Sequence, residues 1–295
     1  MRCPVCGHAN NEGASLCENC GAVISEKGRS GVFRAVAKLF AVAGLYFGAM
    51  FAATYFWMIK YMAENGRSFT EAEYFEAFNR DSGYVNLIFC SVCVLGAALF
   101  YKIKNRSLVN AANIYPAPPF KIGTALVCGF AAQIPLGVIM GLIPFSEEIL
   151  QGHDELINSS TTPMAVQVIY VVVLAPVIEE IFFRGIAHDR LSRAMHPVLA
   201  SVISSVLFAL IHGELVSIIA AFAAGMLLSL LYNRYRTVLV PIAFHVGFNV
   251  LAYVVPFVEG FVMEIVAVSV STVLFMLGIV ILLKKDKTKK SAPTK

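Results

Sequence analysis

Eight stretches of the chain are apolar over fifteen or more residues, and they limit its fold more than any other feature: 39–59, 84–101, 122–145, 164–183, 197–211, 215–232, 237–255 and 265–283. A helix needs about 20 mostly apolar residues to cross the hydrocarbon core of a bilayer. The fifth stretch is short, and only His212, Gly213 and Glu214 part it from the sixth. The runs are too long for strands, and none alternates over about ten residues as a membrane barrel strand does. Composition agrees: 58% of residues are hydrophobic and 14% charged, against about 25% charge in soluble domains. The predicted fold class is an all-α polytopic membrane protein with eight transmembrane helices.

Basic residues set the expected orientation. With eight spans both termini lie on one side. That side holds all 23 Lys and Arg residues except Lys60, Arg67 and Arg80, which share the loop after the first span. The opposite loops are acidic, with Glu147, Glu148, Asp154, Glu155 and Glu214. The positive-inside bias therefore predicts a multi-pass cell-membrane protein with N- and C-termini in the cytoplasm. The net charge of +4 reads as topology, with no nucleic-acid partner evident. In the loop after the first span, Thr70 and Glu73 have the spacing of a capping box and predict a short outer helix.

Ahead of the first span stands CPVCGHANNEGASLCENCG, residues 3–21. Cys3, Cys6, Cys17 and Cys20 form two CxxC pairs with ten residues between them. Four thiolates suit a closed tetrahedral zinc site. Two disulfides are the other reading, and a reducing cytoplasm argues against them. His8 adjoins the first pair, but four cysteines already fill the site. Residues 1–24 are thus predicted to be a small zinc ribbon that carries structural zinc and could recruit a protein partner. Residues 25–36 read as a linker, 37–283 as the membrane domain and 284–295, with KKDKTKK, as a basic tail suited to anionic lipid. Cys90 and Cys93 lie inside the second run and read as small apolar residues.

Ionisable side chains inside a span are costly, usually face the protein interior, and mark function. The fourth run ends in APVIEEIFFRG, with Glu179, Glu180 and Arg184; the fifth ends in Phe208 and His212; the seventh holds His245 and Asn249. Each of the pairs 180/184, 208/212 and 245/249 has the i, i+4 spacing that shares a helix face. Together they offer a base, two imidazoles and an amide donor, enough to activate water and to steady an oxyanion. Blander readings exist: an intrahelical Glu180–Arg184 ion pair, an Asn249 bond to a neighbouring backbone carbonyl, a wetted His212. His188 and His196 flank a charged loop and read as solvated.

In this order, EExxxR at 179–184, FxxxH at 208–212 and HxxxN at 245–249 resemble the CAAX prenyl protease and bacteriocin-processing family of intramembrane proteases. The resemblance covers a motif core of about 164–250. It implies an eight-helix membrane protease that hydrolyses a peptide bond of a membrane-associated substrate, a peptide or a prenylated protein. It assigns Glu179 as base on water with His212 assisting, His245 and Asn249 to the oxyanion, and Glu180, Arg184 and Phe208 to support. A catalytic zinc on Glu179, His212 and His245 and a metal-free mechanism both stay open. Two other classes use such residues: a proton-coupled transporter, and a catalytically inactive membrane scaffold.

Depth sharpens the expectation. At 1.5 Å per residue, His212 lies about 22 Å along its helix from Pro197. If the fourth helix stopped at Phe183, Glu180 would sit near the cytoplasmic surface and the two could not meet. If it runs on to about Arg193, Glu180 lies about 20 Å deep and they share a level. His245 comes in at about 13 Å from Arg236, near enough if its helix is tilted or kinked at Pro241.

Overall fold

A computed structural model describes residues 8–11, 26–66, 69–253 and 260–284; from residue 26 on these are helices and their connections, and no β-strand occurs among the described residues. The four ribbon cysteines and the tail beyond Lys284 lie outside the described residues. The principal helices are α1 (Glu26–Asn65), α2 (Glu71–Ile103), α3 (Pro119–Gly141), α4 (Glu147–Asn158), α5 (Met164–Ser192), α6 (Pro197–Leu210), α7 (Leu215–Tyr235), α8 (Leu239–Ala252) and α9 (Phe261–Leu283). Six of them, α1, α2, α3, α5, α7 and α9, are long and apolar enough to cross a membrane. This is a multi-pass membrane protein.

The other two apolar runs of the expected eight form α6 and α8, at 14 residues each. Such a helix is about 21 Å long, short of the roughly 30 Å hydrocarbon core. Gly213, with φ of 85°, turns the chain just past α6. Left-handed Arg236, with φ of 55°, ends α7 before α8 begins.

The expected short outer helix is instead the first part of α2. Thr70 and Glu73 do form the capping box, with the Thr70 amide donating to Glu73 Oε2 at 2.7 Å. The polar stretch Arg80–Gly83 does not break the helix because its groups find partners. Trp57 donates to Asp81 at 3.0 Å, and the Gly83 amide donates to Thr162 Oγ1 at 3.0 Å.

Helix α5 continues to Ser192, as the depth argument required. It is not uniform: π-helical turns span Ile169–Leu174 and Glu180–His188. Because α5 runs on, His188 is fully buried and bonds Asn233 at 2.9 Å, where a solvated residue was expected. Cys90 and Cys93 are buried free thiols, as their surroundings suggested.

One close crossing, between α3 and α8, locks the bundle. A Cβ on Gly129 of α3 would strike the Phe244 carbonyl of α8, and one on Gly247 of α8 would strike the Leu126 carbonyl of α3. Small residues let membrane helices approach this closely. The start of α8 is held on a ledge of the 111–115 segment. The Val238 amide donates to Asn113 O at 3.2 Å, and Thr237 Oγ1 donates to Tyr115 O at 2.6 Å.

Candidate active site

Three helices bring the sequence-predicted polar residues together in the interior. From α5, Glu180 and Arg184 are completely buried, and Glu179 is buried beside them. Arg184 Nη1 donates to Glu180 Oε1 at 2.8 Å. His245 of α8 bonds the same oxygen through Nδ1 at 3.0 Å. The Glu180–Arg184 pair is therefore an ion pair as the bland reading had it, but one that also binds a second helix, α8.

The guanidinium is held on two more sides. Its Nη2 donates to Gly225 O of α7 at 3.3 Å, and its carbon stands 4.1 Å from the centre of the Phe208 ring of α6. Cation–π contact of this kind strengthens when water is excluded. Phe208 also meets His212 at 4.9 Å and His245 at 5.8 Å between ring centroids. It is the apolar post around which both imidazoles and the arginine pack.

Hydrogen bonds fix which nitrogens can do chemistry. His212 Nδ1 lies 2.9 Å from Phe208 O, and a carbonyl can only accept, so Nδ1 carries the proton. Neutral His212 then presents an unprotonated Nε2. His245 Nδ1 faces the ionised Glu180 and likewise carries a proton. Its Nε2 faces Glu179 Oε2 at 3.8 Å, too long for a direct hydrogen bond. His212 is also within electrostatic reach of the Glu179 carboxylate. Glu180 Oε1 thus holds two partners while its buried Oε2 has none among the described residues, and Glu179 has no such anchor.

Asn249 has a separate partner. Its Nδ2 donates to the Val171 carbonyl of α5 at 2.7 Å. The π turn explains why that carbonyl is available. Just before it in register, the Ala175 amide bonds Tyr170 O, five residues back. The next pair in that pattern is residue 176 to Val171, and Pro176 has no N–H to give. Asn249 supplies the missing donor, as the backbone-carbonyl reading anticipated.

Among the described residues no three His, Cys, Asp or Glu side chains gather at metal-binding distances, so Glu179, His212 and His245 do not form a ready three-ligand site.

Sequence reasoning missed Gly225. A Cβ there would stand 3.2 Å from Arg184 Nη2 and 3.2 Å from the Phe208 ring. Its only signal was a glycine following Ala221 at i, i+4 in AAFAAG. A second buried polar group was also missed. Below the site Tyr232 donates to Asp189 Oδ1 at 3.0 Å and accepts from Asn113 at 2.7 Å. Arg193 pairs with the same carboxylate at 2.9 Å.

A model of the Type II CAAX prenyl endopeptidase Rce1-like family matches residues 161–251. The chain is 25% identical over 182 residues to the membrane-embedded CAAX protease MroQ of Staphylococcus aureus (strain USA300), a match covering 57% of this chain and 72% of that protein. It is 34% identical over 77 residues to a Bacillus subtilis (strain 168) protein described as "Putative membrane peptidase YdiL", covering 26% of this chain and only 32% of that one. No solved structure matches the chain. The segment similar to CAAX-type membrane proteases is the one that carries every polar residue of the buried site.

Proposed function

We propose that the chain is an intramembrane endopeptidase of the CAAX prenyl protease and bacteriocin-processing type. It cleaves a peptide bond of a membrane-held substrate, a peptide or a prenylated protein near its C-terminus. The observation that carries this reading is the unequal engagement of the two adjacent carboxylates. Glu180 is bound through Oε1 to both Arg184 and His245. Glu179 is left facing His245 Nε2 across 3.8 Å.

In the proposed step Glu179 takes a proton from water as its oxygen attacks the scissile carbonyl carbon. The tetrahedral oxyanion collapses, the C–N bond breaks, and Glu179 returns the proton to the leaving amine. His212 Nε2 orients the water. His245 can donate from Nε2 to the oxyanion only when both its nitrogens are protonated. Asn249 has a second N–H beyond the one given to Val171, and it is assigned to the oxyanion as well. All eight apolar helices lie within the membrane domain, with both termini cytoplasmic by the charge bias. Residues 1–24 form the structural zinc ribbon.

The test is hydrolysis of a membrane-anchored peptide by purified variants. Loss of a general base costs about 10²–10⁴-fold in rate, so Glu179→Gln should fall by that factor while remaining folded. Glu180→Gln leaves Arg184 buried without its anion and should lose stability as well, by about 3–5 kcal/mol. Retained hydrolysis in Glu179→Gln would remove the assigned base.

A further inference from the structure

A cavity of about 560 Å³ opens between α1, α2 and α5, away from the buried site. Its body is apolar, with Leu45, Phe182 and Ile186 among its walls, and Lys104, Arg106 and Arg190 lie at its mouth. No carboxylate lines it. Phe182 and Phe183 pack on Tyr46 at 6.2 and 5.7 Å between centroids, and Phe183 packs on Phe208 at 5.5 Å. That aromatic wall separates the cavity from Arg184 and the glutamates.

The three cations are not equally spent. Arg190 pairs with Asp189 at 3.0 Å, and Arg193 draws on the same carboxylate. Among the described residues, neither Lys104 nor Arg106 has an ion-pair partner. An apolar chamber whose mouth carries two cations without an ion-pair partner is complementary to an amphiphile with an anionic head. By the charge bias the mouth lies on the cytoplasmic side, where basic pockets between membrane helices take anionic head groups. Its volume falls in the range of about 300–1,000 Å³ typical of ligand pockets.

We propose that this cavity binds one anionic glycerophospholipid. Its phosphate sits between Lys104, Arg106 and Arg190, and one acyl chain lies against Leu45, Phe182 and Ile186. The bound lipid fastens α1 and α2 to the helix that bears the glutamates. This inference does not rest on the protease reading.

The experiment uses the full chain in neutral detergent, with native mass spectrometry and thermal unfolding read in parallel. Phosphatidylglycerol and phosphatidylcholine with identical acyl chains are titrated. The expected result is a one-lipid adduct and a raised Tm with phosphatidylglycerol at concentrations where phosphatidylcholine gives neither. Lys104→Gln/Arg106→Gln, two exposed positions outside the site, should weaken the adduct roughly tenfold or more. Leu45→Trp keeps the charges, fills the chamber, and should weaken it too. Both variants keep the basic tail, so its general attraction for lipid is common to every arm. Equal response to the two lipids, or an undiminished adduct in both variants, would overturn the proposal. So would an S-alkylated peptide with a free carboxylate that occupies the chamber where phosphatidylglycerol does not; the chamber would then be a substrate cleft.

Discussion

At the scale of single residues, the Asn249–Val171 bond makes a prediction that separates structure from chemistry. Leaving a buried carbonyl without its donor costs about 1–3 kcal/mol. Asn249→Ala should therefore destabilise the protein by that amount. Pro176→Ala restores a backbone N–H in register with Val171, so in that background the Asn249→Ala penalty should shrink markedly. Unfolding free energies for the four members of the cycle check this, and additive penalties would disprove the Pro176 account. Hydrolysis supplies an independent axis, because an oxyanion donor costs activity equally in either background. The three motifs were legible because ionisable residues are rare in apolar runs and stand out by type. Their partners were not, since Gly225 and Val171 contribute only backbone carbonyls, and no pattern of side chains announces a carbonyl. Pro176 did stand in the sequence two residues before Ile178, but its effect depends on the π turn, which only the folded helix reveals.

Between elements, the depth puzzle is solved by where helices begin. The sequence left His245 short of the glutamates unless its helix tilted or kinked at Pro241. Pro241 is in the first turn of α8, where its missing N–H removes no intrahelical bond. Residues 236–238 are instead a compact non-helical turn, with Arg236 left-handed and Val238 in the right-handed helical region, and α8 begins where bonds to Asn113 and Tyr115 hold it. Hydropathy counts apolar residues but cannot see that a helix starts on a recessed ledge. The outer helix α4 was likewise illegible as a partner: His153 bonds Glu214 at 2.7 Å, beside the turn that follows His212. Burial pushes the Glu214 carboxyl up, but hydrogen bonds from Ser217, His153 and the Val216 amide outweigh it and hold the group below its usual range. A depressed folded value stabilises the fold above the unfolded pKa of about 4.3 and is lost as pH falls through the folded one. The Tm advantage of wild type over Glu214→Gln should be level from about pH 7 to 5 and shrink only below about pH 4. An advantage that persists undiminished to well below about pH 4 would disprove the carboxylate account.

For the whole molecule, the open matter is how a metal-type cysteine module and a carboxylate–histidine membrane site divide one chain. The two draw on different chemistry. On the proposed zinc reading, Cys3, Cys6, Cys17 and Cys20 would act as soft, deprotonated ligands closing a tetrahedral site, and small modules of this kind fold on their metal. In the membrane domain the donors pair with each other: Glu180 with Arg184 and His245, His212 with a backbone carbonyl. Metal analysis of the purified full chain should therefore find one zinc per molecule. Cys3→Ser/Cys6→Ser should abolish it and leave hydrolysis within a few-fold of wild type, since the ribbon stands apart from the buried site in sequence. Glu179→Gln should keep the zinc and lose the hydrolysis. The opposite pattern, zinc retained without the cysteines but lost with Glu179 or His245, would place the metal among the membrane carboxylates and make the general-base step metal-assisted. Loss of both zinc and hydrolysis in Cys3→Ser/Cys6→Ser, with the membrane domain still folded by circular dichroism, would instead make the ribbon part of the catalytic unit.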